Sequence, residues 1–373
     1  MLTLAATFKL ANYSMCIPML SKLLPMLIIV ITTLSQAYAQ PDISQVSVSS
    51  SLLRKHVFFL ASDSLSGRET GTKGQLQAAF YCTREFRESH LIAPFRLDSI
   101  RGSFRQTFHF TISEVALFGG MRTYGTNSTT YKRHELVPIP LTATDSSKVL
   151  LGDNVSGLII GTDLKKEVVV VSAHYDHLGR VGGRTFHGAD DNASGTATVL
   201  SMAALVDSLA QQGIRPRRSI LFVLFSGEEG GLLGSNYFVY NSPLPLNQFV
   251  CDLNVDMVGR IDDEHRKKPN YCYLITDAQG KELQKAAEVA NQQSVNLVLN
   301  RGGYDVENDP KQYFYRSDHY NFAKQGIPAL FFTSGEHADY QKPSDTADKI
   351  AYEILQKRAT LIFQTAWRVA NQE

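Results

Sequence analysis

Cysteine is scarce in this sequence, with four residues in a chain of 373 and no CxxC pair. This scarcity excludes a small domain framed by disulfides, and it excludes zinc or redox sites of the CxxC type. Only Cys82, Cys251 and Cys272 follow residue 39. We expect them to be buried free thiols, and a single Cys251–Cys272 bridge is the alternative.

An excess of charge of either sign is also missing, because 37 lysines and arginines balance 36 aspartates and glutamates. This balance argues against a nucleic-acid partner, which a basic surface would attract, and against an acidic, solvated tail. With 43% hydrophobic and 20% charged residues, the chain has the composition of a globular protein. A peptide or small-molecule partner fits this composition best.

Residues 1–39 contain no acidic residue and only two lysines, and an apolar run covers residues 23–34. That run is too short for a transmembrane helix, which needs about 20 residues. Ala37 and Ala39 form the small-x-small pattern that signal peptidase recognises. We therefore predict a signal peptide over residues 1–39, export to the periplasm or beyond, and no transmembrane anchor. A buried N-terminal helix, the alternative, explains neither the missing acids nor the alanines.

Residues 40–373 show no internal repeat and no linker long enough to separate domains, so we predict a single domain. Its first part, residues 40–51, is polar and rich in serine, which predicts a flexible tether. Further along, nearly continuous apolar runs alternate with amphipathic helical patterns. The runs cover residues 168–173, 219–225, 249–258 and 327–333, and the helical patterns cover residues 196–211, 232–240, 278–291 and 346–371.

This alternation predicts an α/β fold with three layers (αβα), in which helices cover both faces of a mostly parallel central sheet. Ligands bind such sheets beyond the carboxyl ends of the strands. The useful question is therefore which side chains follow each predicted strand.

Acidic residues and a histidine follow three of these strands in succession. His174 and Asp176 follow the first, Glu228 and Glu229 follow the second, and Asp256 stands near the end of the third. A further pair, Asp190–Asp191, precedes a helix, where capping alone would explain it. Each group taken singly has such an ordinary explanation. Together they predict a metal site, because clustered carboxylates repel one another unless a cation compensates them, and zinc accepts these ligands.

Several long motifs in this sequence resemble those of the zinc-dependent exopeptidases, a family that includes bacterial leucyl aminopeptidases, glutamate carboxypeptidase II and glutaminyl cyclases. They are SAHYDHLG at 172–179, GADDNASG at 188–195, FSGEEGGLLG at 225–234, NVDMVG at 254–259, SDH at 317–319, GIPA at 326–329 and SDTADKI at 344–350. FLASDSLSGRETGTKGQ at 59–75 resembles the lead-in of exported bacterial members. Residues 111–150 are too few for the protease-associated domain that larger relatives insert.

The resemblance implies a role for each acidic group. His174 and Asp256 would hold one zinc ion, Glu229 would hold a second, and Asp191 would bridge the two. Two residues would act in catalysis: Glu228 as the general base, and Asp176 by orienting the imidazole of His174. A cis peptide bond between Asp191 and Asn192 is a further expectation from the resemblance.

One position departs from the family pattern. The family's last ligand is a histidine directly after a tyrosine, and here Gln341 follows Tyr340. An amide oxygen is a poorer zinc ligand than imidazole, so we expect one tight zinc site and a weak second one. His337 lies four residues earlier and is an alternative ligand.

The function that follows is an exported, single-domain zinc aminopeptidase that removes N-terminal residues from peptides. Tyr315, Asp318 and His319 are weaker candidates for substrate binding. The rival interpretation is a non-catalytic relative that binds peptides, its second metal site impaired by Gln341. Glutaminyl cyclase activity is less favoured, because the resemblance implies that those enzymes lack the site of the His174 and Asp256 pair.

Overall fold

The centre of the fold is a nine-stranded sheet whose inner strands are rich in β-branched and aromatic residues. The computed structural model describes residues 43–96, 102–116, 130–137, 149–301 and 309–372. Within the chain, Ser44–Glu373 forms one compact unit. The predicted signal peptide, residues 1–39, lies outside the described residues.

The strands are β1 (Phe95–Arg96), β2 (Gly102–Ser103), β3 (Arg105–Ala116), β4 (Thr130–Leu136), β5 (Val149–Ile159), β6 (Leu164–His174), β7 (Arg180–Val181), β8 (Arg184–Thr185), β9 (Arg218–Phe225), β10 (Phe249–Val255), β11 (Tyr271–Ile275), β12 (Val298–Asn300) and β13 (Ala329–Thr333). The α-helices are α1 (Ser50–Leu60), α2 (Lys73–Glu88), α3 (Gly195–Gln211), α4 (Leu233–Tyr240), α5 (Lys281–Gln293), α6 (His319–Ala323) and α7 (Tyr352–Asn371).

The nine strands lie in the order β12-β11-β13-β10-β6-β9-β5-β3-β4. The four central strands β13, β10, β6 and β9 run parallel, as does the β11–β12 pair. The remaining neighbours are antiparallel, so the sheet is mixed, whereas the sequence predicts a mostly parallel one. Strand β11 shows why: all five of its residues are buried, yet it runs antiparallel to β13. Continuous burial therefore does not reveal strand direction.

Helices cover both faces of the sheet, which confirms the predicted three-layer fold. On one face α1, α2, α3, α5 and α7 pack on one another and on the sheet. On the other face α4 and α6 pack together. Side chains of β9 point alternately to the two faces of the sheet and so contact both helical layers. Phe222 contacts Phe86 of α2, whereas Phe225 contacts Phe238 of α4.

The predicted flexible tether is held in place where the structure describes it. Val48 is fully buried, and its amide donates a hydrogen bond to Thr360 Oγ1 at 3.1 Å. The carbonyl oxygens of Val46 and Val48 accept hydrogen bonds from glutamine side chains of α7. Ser49 then caps α1. A serine-rich stretch thus has one fully buried valine, backbone hydrogen bonds to α7 and a helix cap, which its polar composition conceals.

The three cysteines Cys82, Cys251 and Cys272 are buried and free, as predicted. Ala189–Gln211 is long and apolar enough to span a membrane, but most of it is buried between the sheet and other helices. Such burial is typical of the core helix of a three-layer fold.

Candidate metal centre

The carboxyl ends of the parallel strands β6, β9 and β10 meet at one edge of the sheet, and the predicted ligands lie there. His174 is the last residue of β6 and pairs in register with Phe225, the last residue of β9. Glu228 and Glu229 follow β9, and Asp256 is the residue after β10. The three strands therefore deliver these side chains to one place, as the sequence predicts.

His174, Asp191 and Asp256 form a first cluster of candidate metal ligands. The Nε2 atom of His174 lies 3.4 Å from Asp191 Oδ1 and 3.3 Å from Asp256 Oδ1. All three residues are buried. Their donor atoms lie within 4.8 Å of one another, which suits a shared cation.

A second cluster comprises His177, Asp191 and Glu229. The Nδ1 atom of His177 lies 2.6 Å from Glu229 Oε1 and 3.9 Å from Asp191 Oδ2. Asp191 thus directs one carboxylate oxygen to each cluster. Sequence reasoning missed His177, although the SAHYDHLG motif itself contains this second imidazole. The strand alternation that pairs His174 with Asp176 ends with β6, so it assigns no direction to His177.

The turn that carries Asp191 is held by its neighbours. The peptide bond between Asp191 and Asn192 is cis, which confirms that expectation. The amides of Asp190 and Asp191 donate hydrogen bonds to Asp345 Oδ2 at 2.8 and 3.2 Å. Because Asp345 must reach this turn, the chain around it is a loop. Helix α7 consequently begins at Tyr352 and not at the predicted residue 346.

The Arg68 side chain also holds this turn, through hydrogen bonds to its backbone. Its side chain is completely buried, and it donates hydrogen bonds to the carbonyl oxygens of Gly188 at 2.6 Å and Asp191 at 3.4 Å. Burial lowers the pKa of Arg68 to about 10, an effect that the nearby Asp191 and Asp176 oppose. Sequence reasoning placed Arg68 within a family motif without assigning it a role.

Asp176 links the ends of β6 and β9. Its Oδ1 lies 3.6 Å from His174 Nδ1 and accepts a hydrogen bond from the amide of Glu228 at 3.3 Å. Its Oδ2 accepts one from the Thr70 hydroxyl at 3.0 Å. On the opposite side of the first cluster, Asp256 Oδ2 accepts a hydrogen bond from the Ser317 hydroxyl at 2.9 Å. These partners orient the ligand side chains.

Burial and the crowding of carboxylates together shape the electrostatics of the site. Burial raises the pKa of Asp191 well above its ordinary value, and Glu229 and Asp256 raise it further. Burial likewise raises the pKa of Glu228 well above its ordinary value; His174 opposes this effect, whereas Glu229 and Asp256 add to it. A divalent cation would relieve this repulsion. Imidazole and carboxylate donors are ligands that zinc accepts, so the residues present fit zinc.

The site opens into a cleft of about 280 Å³, lined by Asp191, Glu228, Glu229, Asp256, Tyr315, Arg316, Tyr340 and Gln341 among others. The cleft therefore includes Tyr315 and Gln341, two of the predicted site residues. Carboxylates of both clusters of candidate ligands therefore line this cleft. His337 lies elsewhere, with its Nε2 atom 3.2 Å from Asp190 Oδ2.

Asp318 and His319 do not lie where the sequence analysis expects them. Both are completely buried, so neither is accessible to a substrate in the cleft. The imidazole of His319 packs against Phe314 and Phe331. Burial lowers the pKa of His319 to about 3, which keeps the ring neutral. Burial also raises the pKa of Asp318 to about 7, an effect that His174 opposes.

The profile of Peptidase family M28 matches residues 154–366. This range includes the end of β6, the turn at Asp191, and the residues that follow β9 and β10. This chain belongs to peptidase family M28. The M28 match confirms the resemblance seen in the motifs. Aminopeptidase YwaD of Bacillus subtilis is 29% identical over 217 residues, which cover 56% of this chain and 42% of that protein.

A second curated relative and a solved structure are also similar to this chain. A probable leucine aminopeptidase of Arthroderma otae is 30% identical over 191 residues, which cover 50% of this chain and 48% of that protein. The chain thus spans about half the length of the curated relatives it matches. BSAP, a zinc aminopeptidase from Bacillus subtilis, has a similar fold, with a TM-score of 0.63 at 16% identity over 88% of this chain and 97% of that one.

Proposed function

We propose that this M28 chain is an exported zinc aminopeptidase that removes N-terminal residues from peptides. The observation that carries the proposal is the pair of ligand clusters that share Asp191 beside Glu228, in a cleft open to peptides. The names of the relatives, an aminopeptidase and a probable leucine aminopeptidase, support the choice of the N-terminal end. The acid-free residues 1–39 support export.

Glu228 is suited to be the general base because it lies beside the ligands without belonging to either cluster. Its Oε2 atom lies 3.8 Å from His174 Nε2, and its side chain lines the cleft. When bound, zinc at these positions would activate a water molecule and polarise the scissile carbonyl group. The Glu228 carboxylate would take the proton from that water and pass it to the leaving amine.

Asp176 acts on the other side of the same imidazole. Its carboxylate and its backbone carbonyl oxygen lie 3.6 and 3.3 Å from His174 Nδ1. A proton on Nδ1 leaves Nε2, which faces Asp191 and Asp256, free to act as a ligand. Asp176 therefore selects the tautomer that a metal site needs. It also accepts a hydrogen bond from the Glu228 amide, which fixes the position of the general base relative to the ligand His174.

Hydrolysis of aminoacyl-p-nitroanilides by the purified protein tests the proposal. We expect release of nitroaniline from substrates with a free amino group and none from the matched N-acetyl compounds, with zinc bound to the active protein. Cleavage of the blocked compounds, or release of residues from the carboxyl end of a peptide, would contradict the aminopeptidase assignment. Cell fractionation of the full chain tests export, since a cytoplasmic location would contradict it.

The alternative function is peptide binding without turnover, and Gln341 is the observation that favours it. This glutamine lines the cleft where the family has a histidine ligand. Calorimetry with short peptides separates the two functions. Saturable binding without any hydrolysis, in a protein that holds zinc, would favour the binding protein over the enzyme.

A further inference from the structure

We propose that His177 replaces the missing family histidine as a ligand of the second metal, so that Asp191, Glu229 and His177 hold it. Gln341 would then line the cleft without serving as the nitrogen ligand. This inference rests on the proposed zinc site, but it concerns which residues complete that site.

The position of the His177 imidazole carries the inference. Its Nδ1 atom lies 2.6 Å from Glu229 Oε1 and 3.9 Å from Asp191 Oδ2, the oxygen that faces away from His174. The side chain is inaccessible to solvent, so its orientation is set by the protein. The donor atom thus already faces the two carboxylates that the family's second metal uses.

Packing around His177 leaves the ring little freedom. A Cβ atom at Gly188 would lie 2.5 Å from the Cγ and Cδ2 atoms of the His177 ring, so only glycine fits beside it. Gly188 also has a φ of 54°, in the left-handed region that glycine favours. The turn that leads to Asp191 therefore closes over this imidazole and holds it against the bridging acid.

The two other candidates for the missing ligand are less well placed. His337 has Nδ1 directed at the Asp339 amide, which donates to it at 3.2 Å, and Nε2 directed at Asp190. Gln341 offers an amide, a weaker zinc ligand than imidazole. In the part of the chain that the structure describes, no hydrogen bond joins the Gln341 side chain to Asp191 or Glu229.

The two metal positions differ in the support behind their imidazoles. His174 Nδ1 faces Asp176, whereas His177 Nε2 has no hydrogen-bond partner among the described residues. A carboxylate or carbonyl behind a ligating histidine strengthens binding, by about 10–100-fold in metal affinity. We therefore expect the site at His177 to bind zinc more weakly than the site at His174, by a factor in this range.

Zinc titration of the metal-free protein tests the inference. We expect about two zinc ions per chain, bound in two distinguishable steps, in the wild-type protein. His177→Ala should weaken the second step by more than about 100-fold and leave the first step unchanged. Restoring the family ligand in the same chain, as His177→Ala with Gln341→His, should recover the second step. Co²⁺ substitution followed by absorption spectroscopy gives a second readout that does not depend on activity.

Two further variants make the result decisive. His177→Asn keeps a polar side chain and serves if His177→Ala does not fold, and we expect the same loss of the second step. His90→Ala is the matched control, because His90 is exposed and bonds to Asp207 away from the site. It should leave both steps unchanged.

Two outcomes would overturn the inference: an unchanged second step in a folded His177 variant, or a single zinc ion in the wild-type chain. In the first case the 2.6 Å contact with Glu229 is only a hydrogen bond. A protein that hydrolyses aminoacyl-anilides with one zinc would refute the role of His177 and keep the proposed function. A protein that binds two zinc ions, the second one through His177, but hydrolyses nothing would support the role of His177 and refute the proposed function.

Discussion

Removing the guanidinium of Arg68 should destabilise the protein and loosen the turn that carries Asp191. All five N–H bonds of this buried side chain point at backbone carbonyl oxygens, those of Leu60, Tyr175, His187, Gly188 and Asp191. A hydrogen bond to a charged group contributes about 1.5–3 kcal/mol. The sum of five such contributions overestimates the stability lost on replacement by methionine. Water can enter the site and bond to the freed carbonyl oxygens, and the methionine side chain gains stability from apolar burial. A buried carbonyl oxygen that loses its donor costs about 1–3 kcal/mol, so a few unsatisfied carbonyls give a net loss of about 3–5 kcal/mol.

We therefore expect Arg68→Met to lower the free energy of unfolding by about 3–5 kcal/mol and the Tm by roughly 5–15 °C. Denaturant unfolding followed by circular dichroism measures this change, and zinc titration should show weaker binding at both sites that share Asp191. Arg68→Lys keeps the charge but has only three donors, so it should fall between wild type and Arg68→Met. Arg266→Met is the control, since Arg266 makes an exposed ion pair with Asp263. A stability of Arg68→Met within about 1 kcal/mol of wild type would refute this account of the turn.

Three other changes test the site and the fold. Glu228→Gln should lower kcat by about 10²–10⁴-fold with zinc content unchanged, and near-normal turnover would place the base elsewhere. Removal of metal by a chelator should abolish hydrolysis and lower the Tm, and added Zn²⁺ should restore both. Burial lowers the pKa of His56 to about 4, so the unfolded chain takes up a proton below pH 6.5 that the native protein refuses. Stability should thus fall as the pH drops from 6.5 to 4, by at most about 3 kcal/mol, and His56→Gln should flatten this dependence.

The core strands and the main ligands were predictable because both depend on local patterns. Four consecutive valines at 168–171 indicate a strand buried on both faces, and the structure buries all four in β6. His174 and Asp256 follow such runs directly, and parallel strands bring their carboxyl ends to one edge. Residue type, position after a strand and sheet geometry together sufficed to predict His174 and Asp256, whereas the role of Asp191 came from the family resemblance.

His319 and Asp318 show the limit of that reasoning. A motif indicates that two residues stand next to each other in the sequence, but not whether they face the cleft or the core. In this fold the chain places His319 between Phe314, five residues earlier, and Phe331 of β13, and the SDH motif itself does not reveal these contacts. The direction of β11 is hidden for a similar reason. It depends on the path of the chain between strands and not on the residues within the strand.

From the sequence alone came the family, the order of the strand ends and the identity of the acids, because each depends on residue types at short spacing. The tertiary structure decided which imidazole stands against Glu229 and Asp191. Gln341 and His177 are 164 positions apart in the chain, and no local pattern relates the loss of a ligand at one to a replacement at the other. Arg68 is the same kind of case, since its five acceptors come from three separate segments. Such contacts depend on distances between segments that the folded chain brings together.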